Sequence, residues 1–424
     1  MTSLDPRTQW FTEDRFGLFV TWGLYALAAR HEWVMSYEKI TPETYHNYFG
    51  YFDPDLFDPK QWIAQAKAAG MKYVVYVAKH HDGFCHWDTA HTDFKVTNTP
   101  FGRDVLREFI DAAREQEFKI GIYYSLIDWR HPDFPIDPFH PLRDHPEALK
   151  LNEQRDMRKY AAYMRAQVTE LLTGYGKVDI VWFDYSYPEE NYRGMPGKGR
   201  DDWESEALVN LVHKLQPDAL INNRLNLSPD AGDFQTPEQQ QPEKWFEVNG
   251  KRVTWEGCHT LSGSWGYHRD ETSWKDPEQL IKLLIGTVSR GGNLLMNVGP
   301  TGRGNLDDRA TAALRVYADW IALHARSIYG CTASEFVAPS GVQYTQRGNR
   351  LYAHLFSWPF KRVILPGLGG KIHYAQLLND ASEVRFLVGG STPYHMAYAE
   401  SDLLLELPVL KPNVTVPVVE IFLK

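Results

Sequence analysis

Apolar, β-rich runs alternate with helix-patterned segments from the start of the chain to about residue 330, and this alternation constrains the fold more than any other feature. "FGLFVTWG" (16–23), "KYVVYVAKHHDG" (72–83), "KIGIYYSLIDW" (119–129), "DIVWFD" (179–184), "ALINNR" (219–224) and "GNLLMNVGP" (292–300) predict strands. "DPKQWIAQAKAAG" (58–70) predicts a helix with Asp58 as N-cap, Pro59 at the first helical position and Gly70 closing it. Further helices are predicted over 104–116, 150–174, 202–216, 277–291 and 307–330; in 150–174, Met157, Tyr160, Ala161, Met164, Val168, Leu171 and Leu172 fall on one face. Repeated strand–helix units build a parallel sheet with crossover helices. The units are too many and too even for a small open sheet. No "GxGxxG" follows the first strand, which disfavours a dinucleotide fold. The expectation is an α/β chain with a (β/α)8-like barrel domain over residues 1–334, one of its strands distorted somewhere in 225–275.

From about residue 335 the pattern changes to short alternating strands split by Gly, Pro and Asn-Asp turns, such as "RLYAHLFSWP", "KRVILPGL", "SEVRFLVGG" and "PVVEIFLK". They predict a small all-β sandwich domain over 335–424. A chain of 424 residues has room for both. A net charge of −9 without any Lys/Arg run argues against a nucleic-acid surface. No apolar stretch reaches membrane-spanning length, and the N-terminal "MTSLDPRTQWFTEDRFG" has no signal-peptide core. Cys85, Cys258 and Cys331 are too scattered for a disulfide framework or a zinc site, and fit a reducing cytoplasm. A homo-oligomer is compatible with this composition. Sugars stack on aromatic faces, so 14 Trp tilt the reading toward carbohydrate, although a large aromatic core would need them too.

In a parallel barrel, chemistry collects at the C-terminal strand ends. Here those ends read "VTWG", "AKHHDG", "YYSLIDW", "WFDY", "NNR" and "NVGP". Each has a bland reading: His80 and His81 as caps, Asn222 and Asn223 as turn residues, Arg224 as a surface charge, Trp22, Trp129 and Trp182 as core, Asp184 as the cap of the next helix. Jointly these are less comfortable, because all the groups fall on one face. A metal is disfavoured: adjacent histidines on a strand point to opposite faces, and neither "HxH" nor "HExxH" occurs. Two carboxylates across a glycosidic bond are the other option. Asp184, ending an apolar strand, suits a nucleophile, which Arg224 on the neighbouring strand end would keep ionised. The partner acid is open among Glu238, Glu256 and Glu32.

The motifs resemble the α-L-fucosidases of glycoside hydrolase family 29. The matching stretches include "RFGLFVTWGLYALAARHEWVM", "KHHDGFCHWDTAHTDF", "GIYYSLIDW", "VWFDYSYP", "INNR", "DFQTPE", "WEGCHTLSGSWGY" and "RGGNLLMNVGPTGRG", in family order over roughly residues 10–305. The resemblance implies a retaining exo-acting enzyme that releases L-fucose without a cofactor or metal. It implies Asp184 as nucleophile, Glu238 as acid/base, and a sugar pocket drawing on Glu32, Trp33, His80, His81, Tyr124, Trp182, Arg224 and Trp265. Phe19 with Trp265 would meet the C5 methyl. One position departs: the family usually has "HWG" where this chain has "TWG", so Thr21 stands in place of a sugar-binding histidine. That change puts affinity for the sugar in doubt, and on it rests a reading in which acceptor sugars compete with water. Two rivals stand beside this expectation: a carbohydrate-binding protein on a weakened hydrolase scaffold, and a metal-dependent hydrolase.

Overall fold

A computed structural model describes residues 6–389 and 398–424; the first five residues of the N-terminal stretch and Gly390, the last residue of "SEVRFLVGG", lie outside them. Seven parallel strands form one curled sheet: β1 Phe16–Val20, β2 Tyr73–Lys79, β3 Lys119–Ser125, β4 Ile180–Asp184, β5 Leu220–Ile221, β6 Glu256–Thr260 and β7 Asn293–Val298. Their order is β6-β7-β1-β2-β3-β4-β5. Six main helices follow the strands or cover the sheet: α1 Pro59–Ala68, α2 Val105–Glu115, α3 Met157–Gly174, α4 Ser205–Leu215, α5 Pro277–Val288 and α6 Asp308–His324. Five of them start at an aspartate whose side chain accepts a hydrogen bond from a first-turn N–H: Asp58, Asp104, Asp156, Asp276 and Asp307. Two predicted helices are shorter than expected because caps interrupt them. Asp156 starts α3 afresh after a short turn of helix at Ala148–Asn152. Glu204, at φ 51° and ψ 50°, separates Arg200–Trp203 from α4.

The strands are buried on both faces, so hydrophobicity does not alternate along them. The contacts do alternate. Phe19, Val75, Val77, Tyr123, Ile180, Trp182, Leu220, Cys258 and Leu295 fill the barrel interior. Leu18, Val74, Tyr76, Ile122, Tyr124, Val181, Phe183 and Met296 pack outward among the helices. β5 and β6 do not pair directly. Between them runs residues 234–238, joined by single parallel bridges Asn222↔Phe234, Gln235↔Trp255 and Glu238↔Cys258. This is the distorted eighth strand expected in 225–275. Pro237 has no N–H to donate to a ladder, and Gln239 turns to φ 53°, so regular pairing stops there. Asn222 compensates on the other side: its side-chain amide donates to the Phe183 carbonyl (2.8 Å) and accepts from the Phe183 N–H (3.1 Å), extending the two-residue β5.

The antiparallel part begins at Thr332, slightly before residue 335. Its larger sheet joins β8 Thr332–Ala333, β9 Val342–Arg347, β10 Arg350–Leu355, β12 Ile372–Leu377 and β15 Val418–Leu423 in the order β8-β9-β10-β15-β12. A three-stranded sheet of β11 Arg362–Leu365, β14 Leu403–Glu406 and β13 Arg385–Val388 faces it across a core of Leu351, Leu355, Leu365, Leu403, Leu405 and Ile421. Trp320 of α6 donates to the Val416 carbonyl (2.9 Å), and Thr345 to the Ser327 carbonyl (2.6 Å), seating the sandwich on the barrel's last helix. All three cysteines are buried and unpaired.

Candidate active site

One cleft opens at the C-terminal ends of the barrel strands. It is lined by Phe19, Thr21, Glu32, Trp33, Val77, His80, His81, Tyr123, Trp182, Asp184, Tyr185, Glu238, Cys258 and Trp265, and holds about 430 Å³ of empty space, its open mouth included. That suits a small polar ligand with one apolar side. Of the catalytic pair and sugar-pocket residues that the resemblance implied, only Tyr124 and Arg224 are absent from this lining. Arg224 bonds directly to two of its members, as described next.

Asp184 continues the inward set Ile180, Trp182 and so ends β4 pointing into the cleft. Its Oδ2 accepts from the Tyr123 hydroxyl (2.7 Å) and its Oδ1 from Arg224 Nη1 (2.9 Å). The next residue, Tyr185, sits at φ 81°, a conformation that β-region residues avoid and that turns the chain sharply out of the strand. Arg224 Nη1 also lies 2.8 Å from Glu238 Oε2. The two carboxylate oxygens share one nitrogen, so they are no more than about 6 Å apart. Thr236 holds the guanidinium through its hydroxyl (3.0 Å) and carbonyl (3.2 Å), and the Trp182 ring lies 4.7 Å beneath it. Burial alone would favour neutral arginine, but the neighbouring carboxylates of Asp184 and Glu238 outweigh it and hold the group above its ordinary value. Arg224 is thus a fixed cation between two acids, not a surface charge.

His80 and His81 both enter the cleft, contrary to the alternation expected of neighbours on a strand. The reason is a break in register between β2 and β3: Val77 pairs with Tyr123 but Lys79 with Tyr124. This bulge turns Lys79 outward. Lys79 is then held by Asp128 (3.3 Å) and the faces of Tyr124, Tyr160 and Tyr163. The strand has ended by His80, so both rings can fold inward, 4.1 Å apart. Burial, then Lys79 and Arg224, push His81 down to about 3, and burial with the neighbouring histidines lowers His80. Both are neutral at ordinary pH. His81 Nδ1 is hydrogen-bonded to Ser125 Oγ (2.6 Å), which also lies 2.8 Å from the Ile127 carbonyl. Its Nε2 faces the cleft, 3.9 Å from Asp184 Oδ2.

Tyr124 is a correction. It faces the helices: its hydroxyl donates to Gln167 of α3 (2.8 Å). Tyr123 takes the cleft position, because the register Tyr123↔Trp182 and Ser125↔Asp184 places it on the inward set. Tyr185, Val77 and Cys258 were also missed. Counting back by twos from Asp184 on β4 and transferring parity to β3 would have found Tyr123.

Glu32 is buried beyond β1. Its Oε2 accepts from the Gly266 N–H (2.8 Å) and the Trp265 N–H (3.2 Å), while among the described residues Oε1 accepts no hydrogen bond and has only His31 Nδ1 beside it, at 3.3 Å. A buried acceptor without a donor is costly, and a ligand hydroxyl would relieve it. Phe19 and Trp265, 5.8 Å apart, make the apolar wall. Thr21 donates to Asn297 Oδ1 (2.6 Å), and Asn297 donates to the Trp265 carbonyl (2.7 Å). Gly299 permits this: a Cβ there would lie 2.7 Å from the Trp265 carbonyl oxygen.

Glu256, one of the three candidate acids, is elsewhere. It starts β6 at the floor of the barrel, where it accepts from Tyr73 (2.5 Å) and from Trp182 Nε1 (3.2 Å). Burial raises its carboxyl from 4.5 to about 7, against the pull of those two donors. The folded protein then holds a proton that the unfolded chain releases, so stability falls as pH rises from about 4.5 to about 7. Glu256→Gln removes this titration. It is expected to be more stable than wild type above pH 7, by up to about 3 kcal/mol, with the gap closing below pH 4.5. Melting temperatures at pH 4 and pH 8 check this; a gap independent of pH removes the protonated-acid reading.

A barrel with two carboxylates facing one cleft at its C-terminal strand ends is the site of a glycoside hydrolase. Comparison with known proteins gives the particular kind. The family model described as Alpha-L-fucosidase matches residues 1–326, and the chain belongs to that family. It is 27% identical to the rat tissue alpha-L-fucosidase, over 88% of this chain and 85% of that protein. It is 26% identical to the human plasma alpha-L-fucosidase, over 96% of this chain and 88% of the other. Among solved structures, alpha-L-fucosidase isoenzyme 1 from Paenibacillus thiaminolyticus superposes over 100% of both chains with a TM-score of 0.93 at 42% identity. A GH29 alpha-L-fucosidase from Bacteroides thetaiotaomicron, trapped as a covalent intermediate, superposes with a TM-score of 0.84 at 25% identity over 99% of this chain and 96% of that one.

Proposed function

We propose that this chain is a retaining, exo-acting α-L-fucosidase in which Asp184 is the nucleophile and Glu238 the acid/base. The observation that carries the reading is the single Arg224 nitrogen shared by the two carboxylates. One oxygen of each acid thus lies within about 6 Å of the other, which supports the narrow spacing of double displacement (roughly 5–5.5 Å) over the wider one of direct attack by water (roughly 6.5–9.5 Å). Asp184 attacks the anomeric carbon as its bond to the leaving oxygen breaks, and Glu238 gives its proton to that oxygen. Water then attacks the fucosyl–Asp184 ester, Glu238 takes the water's proton, and L-fucose leaves with Asp184 free again. His81 Nε2 and Glu32 Oε1 meet the sugar hydroxyls, and Phe19 with Trp265 faces the C5 methyl. The covalent intermediate named for the Bacteroides thetaiotaomicron relative supports the same chemistry here. Release of L-fucose of retained configuration from an aryl α-L-fucoside, followed by NMR before mutarotation, tests it; an inverted product would sink it.

Thr21 bears on how well this works. Its hydroxyl is committed to Asn297 rather than to the open cleft. A histidine there would restore a ring nitrogen toward the sugar, so Thr21→His is expected to raise kcat/KM about 10-fold, equivalent to about 1.4 kcal/mol. The weaker sugar grip of threonine also favours transfer of the fucosyl group to an acceptor sugar over transfer to water. The variant is therefore expected to lower the transfer-to-hydrolysis ratio at fixed acceptor concentration. An unchanged or lower kcat/KM in folded protein would mean that the Thr21–Asn297 pair already does the histidine's work.

A further inference from the structure

The two carboxylates differ in exposure: the Asp184 side chain is 12% exposed and that of Glu238 42%. If Glu238 protonates the leaving oxygen, the rest of the substrate must pass Glu238 on its way out and meet the cleft rim. The rim there is aromatic. Tyr185 and Glu238 line the same cleft. Trp33 packs 5.1 Å from Tyr185 and stacks on Tyr37 at 5.6 Å and 29°. Phe139 closes the group, 5.3 Å from Tyr185 and 5.6 Å from Trp33.

Tyr37 is the unusual member, because 62% of it faces solvent. The other residues of its short helix, Val34, Met35 and Ser36, are buried. Ser36 donates to the Phe139 carbonyl (2.6 Å), and Arg143 to the Ser36 carbonyl (3.0 Å). The helix is thus pinned to the Phe139 loop, and its one exposed ring is aimed outward from a rigid base. A preorganised ring loses little entropy on binding. The flanking charges are paired, Arg30 with Glu38 (2.6 Å) and Lys39 with Asp144, so the surroundings select for neither sign of charge.

We propose that Tyr37, Trp33 and Tyr185 form a stacking platform for the pyranose ring of the leaving group, an uncharged sugar that presents its C–H face to the rings. The same platform would hold an acceptor sugar during transfer. This rests on the fucosidase reading above, and the test separates the two. Wild type, Tyr37→Ala and Tyr37→Phe are compared on α-L-fucosyl fluoride, which has no leaving sugar, and on an α-fucosyl-galactose disaccharide. Tyr37→Ala is expected to lower kcat/KM on the disaccharide about 10-fold, mainly through KM, and to stay within about twofold of wild type on the fluoride. Tyr37→Phe keeps the ring and is expected to match wild type on both. Equal losses on both substrates, or no loss on the disaccharide, overturn the platform. A wild-type chain inert toward the fluoride overturns the fucosidase reading, and the platform with it.

Discussion

Asp184→Gly is expected to lose about 10³-fold or more in turnover of an aryl α-L-fucoside, because it removes the covalent route. The surroundings should survive the change. Arg224 keeps Glu238 and the Thr236 contacts, and Tyr123 loses one acceptor at the edge of an open cleft. The space vacated by the carboxylate lies against the Arg224 guanidinium, which suits a small anion. Added azide is therefore expected to restore part of the turnover on an activated fucoside by attacking the anomeric carbon from the side Asp184 occupied, giving β-L-fucosyl azide. Near-normal activity in Asp184→Gly without azide would falsify the assignment.

Glu238→Ala is expected to show its defect through the leaving group. General acid catalysis contributes about 10²–10⁴-fold, and is needed most when the departing oxygen is strongly basic. Hydrolysis of a fucosyl disaccharide should fall by that order, while nitrophenyl fucoside, whose leaving group departs without help, should suffer far less in the first step. The limb of the pH profile due to the acid should flatten. Glu32 and Glu256 are the controls. Glu32 is tied to backbone N–H groups at Trp265 and Gly266, and Glu256 lies under Trp182 at the barrel floor. If Glu32→Ala or Glu256→Ala shows the leaving-group signature and Glu238→Ala does not, the acid/base role belongs to that residue instead.

The burial of Glu256 shows why this choice could not be read from the chain. "TPE", "WEG" and "HEW" each carry one glutamate that nothing in its immediate sequence neighbours marks as catalytic. They come to differ through long-range contacts. Glu256 opens a paired strand and is drawn into the interior, where Tyr73 and Trp182 satisfy it. Glu238 follows Pro237 in a segment that pairs only through isolated bridges, so its side chain escapes the ladder and reaches Arg224. A search for strands by pattern passes over such a segment because its pairing is too broken to leave a period.

Sequence alone determined the parts that depend on local pattern. Strand–helix alternation dictated a parallel barrel, the Asp58 N-cap and Pro59 marked where one helix begins, and a lone acid ending the apolar run "DIVWFD" marked the working face. It also placed His80, His81 and Trp182 at the strand ends where the cleft forms, and the family resemblance added Glu32, Trp33 and Trp265. Only the tertiary structure decided which way each side chain looks. Strands buried on both faces carry apolar residues on both, so Tyr123 and Tyr124 are equivalent by hydrophobicity, and only pairing with β4 sends the first to Asp184 and the second to Gln167. Likewise His80 and His81 share the cleft only because a bulge against β3 turns Lys79 out to Asp128 and three tyrosines. Facing is set by register, and register is a bond between residues far apart in the chain, which no local pattern contains.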